Sequence, residues 1–431
     1  MRRRVLLFSL LVLLLICGIS VAVYYFPPVH NRLAWRVESL RVNILRRINP
    51  PEQQVFLPQG QADTVLPSPF ARTLPAVQPV FTPTSPPPTG TPQPSPSPTP
   101  SPTPLPLQAE LSGIVHEYQQ FNNCGPASLA MALSYWGWQG DQRDTRLALR
   151  PNFVEVDDKN VNPWEMVRFV EATGELKAAA RVGGDLNLLK RLLAAGFPTL
   201  IEAGIQPHPG DWMGHYLLIS GYDDEKNRFI TQDSLIGPDI PVQYSTVAEG
   251  WRSFNNAFVT LAPPEKEAEL LSVLGEWADE DGSYKIAAQV AQQEINQLNG
   301  RDLFFAWYNL GSSLVAQGDY QAAAQAYDQA FALYAEIPED DRPWRILWYQ
   351  DGPLAAYYHT GRYQDVITLG NQTLDSAGGP VLEETFFWLG MAREATGSLD
   401  KAIYDYQMAV KINPNSTPAA QALQRLGAGL P

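Results

Sequence analysis

The chain has 431 residues, enough for two or three domains, and 45% of them are hydrophobic, so sizeable cores can be buried. Its net charge is −14, but residues 1–50 carry eight Arg and one Glu, or +7, so the remaining residues carry −21. This basic head on an acidic body argues against a nucleic-acid binder, which needs a basic face, and fits a head at an anionic membrane surface.

The first predicted element is a membrane span. Three arginines at positions 2–4 precede an apolar run over residues 5–26, which would reach about 33 Å as a helix and could cross a bilayer core. The arginines should stay in the cytoplasm, so the long C-terminal part faces outward. We therefore predict a cytoplasmic tail and an uncleaved anchor in residues 1–28. A signal peptide cleaved after the small residues at 20–22 is the alternative.

Two non-globular segments are predicted next. Residues 32–48 place apolar residues at helical spacing between arginines, so residues 29–57 are predicted to form a basic, amphipathic juxtamembrane segment, lying on the membrane or solvated. Residues 58–110 are rich in Pro, Ser and Thr, with twelve prolines in residues 82–106. Such a composition cannot form a core and favours extended polyproline conformation. We expect a disordered stalk that lifts the body off the membrane.

Cys124 is the first candidate for chemistry. Gly125 and Pro126 follow it and precede a run of good helix formers, so the cysteine lies at a predicted helix N-terminus, where the dipole lowers a thiol pKa. Cys17 is the only other cysteine, which leaves no disulfide framework and no cysteine-based zinc site. A lone thiol outside the cell is expected for a nucleophile, although a single buried cysteine is more often a small hydrophobe.

A base for this thiol is predicted on a β-hairpin. His215 opens the apolar strand HYLLISGY, a polar turn follows at residues 223–227, and residues 228–233 return as a strand. A hairpin centred near residues 224–225 brings Asp233 within two residues of the position opposite His215, where its carboxylate can orient the imidazole. Taken singly, a histidine on an apolar strand is more often a satisfied core residue than a base, and Asp233 could be a turn acid.

An oxyanion donor is needed besides the Cys124 backbone N–H. Gln119 and Gln120 precede the cysteine by five and four residues, and the side-chain amide of either can supply the donor. The order Gln, Cys, His, Asp along the chain favours a catalytic interpretation over four separate structural roles.

Three stretches of the chain, QQFNNCGPASLAMALSYWG, GHYLLISGYD and QDS, resemble the papain-fold peptidases related to the bacteriocin-processing, double-glycine leader peptidases. The resemblance covers residues 111–262, and the segment between the first two stretches is similar to the helices and strand of the family's stand-alone members. It implies an α+β papain-like fold with Cys124 as nucleophile, His215 as base and Asp233 as orienting acid.

The resemblance is incomplete in two respects. Gln119 matches the family's oxyanion glutamine best, but the wider family often places this residue one position further upstream, so the choice between Gln119 and Gln120 stays open. The leader peptidases proper precede a multi-span exporter and work on the cytoplasmic side, whereas this chain has one predicted span and no GxxxxGK[ST] motif. Cleavage of a double-glycine leader is therefore not inferred.

Residues 265–428 repeat a helical pattern. Glycines recur at positions 282, 318, 361 and 397, at spacings of 36, 43 and 36, with small or apolar residues five positions after each. This pattern resembles the tetratricopeptide repeat, a helix–turn–helix unit, and the longer spacing fits a polar insertion at residues 337–343. Stacked units bury one another's faces, and their concave side would bind a peptide or a partner protein. The alternative is a brace packed on the catalytic domain.

Together these features predict a single-pass, membrane-anchored, extracytoplasmic cysteine peptidase. Its fold class is an α+β papain-like domain followed by an all-α tetratricopeptide array, with an N-terminal transmembrane helix. The expected partners are a peptide or protein substrate, a protein bound to the repeats and the membrane, without nucleic acid, metal or organic cofactor. The alternatives are acyl transfer such as transamidation by the same residues, and an inactive papain-like scaffold for protein–protein interaction.

Overall fold

The computed structural model describes residues 55–59, 104–152, 158 and 160–431, together with isolated positions between 12 and 44. The predicted tail, anchor and amphipathic helix therefore lie largely outside the described residues, and the isolated positions are helical apart from Phe26. Within the described part, no helix combines the length and the apolarity needed to cross a bilayer. The anchor, the membrane contact and the extracytoplasmic location stay predictions.

A seven-stranded antiparallel sheet is the centre of the first folded region. Its strands are β1 (Gln108–Glu110), β2 (Lys177–Arg181), β3 (Thr199–Ile205), β4 (Met213–Asp223), β5 (Arg228–Asp233), β6 (Gly237–Gln243) and β7 (Phe258–Ala262). The order is β2-β7-β3-β4-β5-β6, and β1 pairs with the C-terminal end of β4. The long strand β4 is therefore hydrogen-bonded on both edges, and almost every one of its residues is buried.

Five helices cover the two faces of this sheet. They are α1 (Cys124–Tyr135), α2 (Gln142–Leu149), α3 (Pro163–Thr173), α4 (Leu186–Ala194) and α5 (Tyr244–Arg252). Alternate residues of a strand point to opposite faces. Tyr216 and Leu218 of β4 accordingly join the core beneath α1 and α3, whereas Leu217 and Ile219 join the core beneath α4 and α5.

Ten further helices form the second region. They are α6 (Glu267–Leu274), α7 (Glu280–Ile295), α8 (Gly300–Ala316), α9 (Tyr320–Glu336), α10 (Ile346–Tyr349), α11 (Gly352–His359), α12 (Tyr363–Ala377), α13 (Glu383–Ala395), α14 (Leu399–Ile412) and α15 (Thr417–Arg425). Gly318, Gly361 and Gly397 lie in the turns between paired helices with φ of 78°, 76° and 81°, a conformation that favours glycine. Gly282 differs, because it lies in the first turn of α7, which Asp279 caps.

The helical region packs directly on the sheet region. Asn309 on α8 donates to the carbonyl of Arg252 at 2.7 Å, and Gln350 donates to the carbonyl of Ser253 at 2.9 Å. The guanidinium of Arg345 reaches the loop before β4. The sheet region therefore covers one face of the array, as expected if the array acts as a brace packed on the catalytic domain.

Two short segments that precede Leu111 are ordered against these regions. Strand β1 lies inside the range predicted as a stalk, because its backbone completes the ladder along β4, where Ala109 is opposite Tyr222. Residues 55–59 lie across the boundary between the predicted juxtamembrane segment and the stalk, and they pack on the helical region because the apolar ring of Phe56 is buried there, 5% exposed. The remainder of the predicted stalk, residues 60–103, lies outside the described residues.

Candidate active site

Cys124 is the first residue of α1, as the sequence predicts. The turn before it includes Asn122 with φ of 53°, and helix α2 fixes this turn: Gln142 accepts a 2.8 Å hydrogen bond from the side chain of Asn123, and Arg150 donates to the carbonyl of Asn122. A Cβ atom at Gly125 would lie 3.1 Å from the terminal methyl group of Met166 on α3. The neighbouring helices thus pack closely around the start of α1, and a larger residue at position 125 would have to displace the Met166 side chain by a few tenths of an ångström.

The predicted hairpin brings Asp233 to His215. Strands β4 and β5 are paired from Asp223 opposite Arg228 to Leu218 opposite Gln232, with a register shift at Ser220. Beyond the paired stretch, Nε2 of His215 lies 2.9 Å from Oδ1 of Asp233. Both side chains are buried, His215 to 2% exposure.

The carboxylate of Asp233 is itself held in place. Its Oδ1 accepts backbone hydrogen bonds from Leu235 at 2.8 Å and Ile236 at 3.2 Å, in the turn that leads into β6. These two donors stabilise the negative charge. Because Nε2 of the imidazole is bonded to Asp233, Nδ1 is the ring nitrogen left for the thiol of Cys124.

The charges at these three side chains reinforce one another. Burial alone lowers the pKa of His215, but the charge and the hydrogen bond of Asp233, with the Cys124 thiol, raise the pKa of His215 to about 10. Burial raises the pKa of the Cys124 thiol, but the hydrogen bond to His215 and its positive charge outweigh burial and leave that pKa below its ordinary value. The arrangement therefore favours a thiolate beside an imidazolium.

The two candidate oxyanion residues have different surroundings. Gln119 is buried, and its Oε1 accepts a 2.8 Å hydrogen bond from the hydroxyl of Ser234, next to Asp233. Its side-chain oxygen is therefore anchored, and its amide nitrogen is the end that can donate. Gln120 is held toward α2, where its Oε1 accepts from Arg146 at 3.0 Å.

Both folded regions of the chain match known protein families. Residues 112–259 match the model described as the Peptidase C39 like family. The chain carries a peptidase C39-like domain. Residues 302–377 and 384–416 match tetratricopeptide repeat models, so the predicted combination of an α+β peptidase-like domain with a repeat array is confirmed.

Solved structures match part of this chain. One of them is a Bacillus anthracis protein described as a C39-like peptidase, 16% identical in sequence. The match covers 36% of this chain and 97% of that chain, with a TM-score of 0.29.

The peptidase C39-like domain holds a buried acid near Cys124 that the sequence did not indicate. The hydroxyl of Tyr216 lies 2.8 Å from the carbonyl of Val161 and 3.0 Å from Oε2 of Glu202. The Tyr216 hydroxyl is the donor toward both oxygens, so its single proton is directed to one of them at a time. Burial raises the pKa of Glu202 well above its usual range, consistent with a neutral carboxyl. In the sequence, Glu202 lies in the stretch LIEAG, which predicts a strand and does not indicate a role near the thiol.

The tetratricopeptide region also contributes a side chain near the thiol. The ring of Tyr349, at the end of α10, lies against Gly214, where an added Cβ atom would be 3.2 Å from two ring atoms. Trp212 and Phe254 of the peptidase C39-like domain surround the same ring, at 6.2 and 5.6 Å between centroids. Burial, and more weakly the charge of Cys124, raise the pKa of Tyr349 to about 12. No sequence motif marks this residue, because it belongs to the second region.

Several carboxyl groups interact where the domain meets the repeats. They are Asp158, Glu165, Glu383 and Glu384. The side chains of Asn160 and Asn162 donate to Oε1 of Glu384 at 3.1 and 2.6 Å. Burial, followed by the charge of Glu384, raises the pKa of Glu165 to about 7. No group of His, Cys, Asp or Glu in the part of the chain that the structure describes is arranged to hold a metal ion.

Proposed function

We propose that the protein is a cysteine peptidase in which Cys124 is the nucleophile, His215 the general base and acid, and Asp233 the orienting acid. The observation that carries this proposal is the buried His215–Asp233 pair at 2.9 Å, which holds a positive charge beside a thiol whose pKa is lowered. A structural cysteine and histidine have no need of this arrangement, which argues against an inactive scaffold.

The reaction would follow from these charges. The Cys124 thiolate attacks the carbonyl carbon of a peptide bond, and the resulting oxyanion receives hydrogen bonds from the Cys124 backbone N–H and from Gln119. The imidazolium of His215 gives its proton to the leaving amine, and an acyl-enzyme remains. His215 then removes a proton from water, which attacks the acyl carbon and releases the acid.

The tetratricopeptide array would bind a protein partner or present substrate, since repeats of this kind bury one face and expose another. Residues 5–26 would anchor the chain with the body outside the cytoplasm. Support for this comes from the apolar run and from the arginines that precede it.

Alkylation of the thiol across pH tests the catalytic proposal. In the full chain carrying Cys17→Ser, iodoacetamide reacts with Cys124 alone. We expect the rate to rise with pH through the lowered thiol pKa, below about 8.5, as the ion pair forms. In His215→Ala, the rate should rise only near the pH range of an ordinary thiol.

His208→Ala is the matched control, because His208 is an exposed histidine of the same domain, outside the proposed machinery. Its profile should follow that of the unmutated chain. An ordinary thiol profile that His215→Ala leaves unchanged would contradict the proposed ion pair.

A further inference from the structure

Residues 55–59 form a short segment that lies on the tetratricopeptide region. The Phe56 ring is 5% exposed and meets the edge of Phe331 on α9 at 5.1 Å and Tyr357 on α11 at 6.1 Å between centroids. Burial alternates along the segment: Phe56 and Pro58 are buried, whereas Leu57 is 61% exposed. Alternation of this kind is typical of an extended peptide bound along one side.

A fixed acceptor receives the backbone of this segment. The N–H of Gln59 donates to Oδ1 of Asp365 on α12 at 3.2 Å. The other oxygen of Asp365 accepts from Arg362 at 2.8 Å, and Arg362 also binds both oxygens of Asp328. The carboxylate is thus oriented by the repeats themselves and would remain in place without the segment.

The ring pocket is built in the same way. The guanidinium of Arg362 lies over the ring of Tyr357 at 4.0 Å, and the hydroxyl of Tyr357 donates to Asp328 at 2.9 Å. An aromatic wall and a backbone acceptor are therefore both fixed by α9, α11, α12 and the side chains between them. These elements can recognise a peptide by one aromatic ring, one proline and one backbone N–H.

We propose that this pocket is a peptide-binding site, and that Val55–Gln59 is an exchangeable ligand that the chain supplies to itself. The site takes an extended peptide with an aromatic residue followed two positions later by proline. It is separate from Cys124 and goes beyond the proposed peptidase activity. Because the segment is covalently attached, its effective concentration at the pocket is on the order of millimolar, so only a better-fitting or locally concentrated peptide displaces it.

A competition experiment tests the proposal. A fluorescein-labelled peptide of residues 51–63 is titrated into the full chain and into its Phe56→Ala variant, with fluorescence anisotropy as the readout. Phe56→Ala removes the ring that fills the pocket, so we expect the labelled peptide to bind this variant at least tenfold more tightly than the unmutated chain. Leu57→Ala is the matched control, since Leu57 points to solvent, and it should bind the peptide as weakly as the unmutated chain.

Changes in the peptide complete the design. A peptide with Phe56→Ala should lose binding to the Phe56→Ala chain, whereas a peptide with Leu57→Ala should retain it. Pro58→Ala in the chain provides a second route to a vacated pocket if Phe56→Ala reduces the yield of folded protein. Absence of peptide binding to both variants, or equal binding to the variants and the unmutated chain, would overturn the proposal.

Discussion

At the scale of single residues, Gln119 and Gln120 are neighbours with different prospects as oxyanion donors. Gln119 is anchored through its side-chain oxygen by the hydroxyl of Ser234, the residue next to Asp233 of the His215–Asp233 pair. Gln120 is committed to α2 through its side chain and its backbone, which donates to Gln142 at 2.8 Å. We therefore propose Gln119 as the oxyanion donor, the residue that also matches the family pattern.

Gln119→Ala should lower the acylation of Cys124 by p-nitrophenyl acetate by about 10²–10³-fold, the usual effect of losing one oxyanion donor. Alkylation by iodoacetamide forms no oxyanion and should change little. Gln120→Ala is the control and should leave both rates near those of the unmutated chain. A larger loss of acylation in Gln120→Ala than in Gln119→Ala would assign the donor to the other glutamine.

The candidate residues Cys124, His215 and Asp233 could be found from sequence because each has a local signal. A Gly-Pro helix start marks the cysteine, and a hairpin with a polar turn relates the other two by register. Glu202 and Tyr349 have no such signal. They approach the thiol only through the pairing of β3 with β4 and the docking of α10, which depend on contacts distant in sequence.

At the scale of elements, the connection between α9 and α11 joins the repeats to the strand that carries His215. Arg345 is 2% exposed and donates to the carbonyl of Trp212 at 2.5 Å and to Oδ1 of Asp211 at 2.6 Å, in the loop before β4. Its guanidinium also lies over the ring of Trp344 at 4.2 Å. The connection between α9 and α11, of which the sequence predicted only the polar insertion at residues 337–343, therefore fixes the start of β4.

Arg345→Lys keeps the charge but loses the planar fork that reaches both acceptors. We expect a loss of about 1–3 kcal/mol in stability, visible as a lower melting temperature, together with slower alkylation of Cys124 as β4 loosens. Arg342→Lys is the control, because Arg342 bonds only carbonyls of its own region, Ile337 and Ala335, and should cost below about 1 kcal/mol. Equal melting temperatures for the two variants would show that the connection does not fix β4.

The hairpin illustrates how far periodicity can predict an element. The turn at residues 223–227 was expected from its polar cluster, and the strands on either side were expected from their apolar runs. The register shift at Ser220 was not, because a bulge depends on the partner strands rather than on composition. Gly282 was grouped by its spacing with the other repeat glycines, which lie in turns, but the first unit begins with a capped helix at that position.

At the scale of the whole molecule, the carboxyl groups between domain and repeats make the docking sensitive to pH. The positive charge of Arg150 lowers the pKa of Asp158, and that of Arg168 lowers the pKa of Glu165. Burial and the neighbouring carboxylates outweigh these charges and raise both pKa values. Glu165 has a pKa of about 7 in the folded chain, against 4.5 as its ordinary value. Below about 4.5 it is protonated in both states. Between 4.5 and 7 only the folded state holds the proton, so stability falls as pH rises through this window.

The expected loss from Glu165 is at most about 3 kcal/mol across that window. Glu165→Gln keeps the hydrogen-bonding shape of the helix cap at Asn162 and removes the titration, so its melting temperature should fall less between pH 4.5 and 7.5 than that of the unmutated chain. Glu171→Gln, at an exposed position of the same helix, should behave as the unmutated chain does. Parallel pH profiles for all three chains would contradict the assigned role of Glu165.

Residues 55–59 determine how far the body can move from whatever holds the N-terminus. Docked on the repeats, they leave residues 27–54 as the tether from the predicted span, about 90 Å at full extension. Released, the tether extends to residue 107, just before β1, and its maximum length rises to about 270 Å. A peptide that displaces Phe56 would thus change the radius within which Cys124 can meet a substrate, about threefold, without altering the active site.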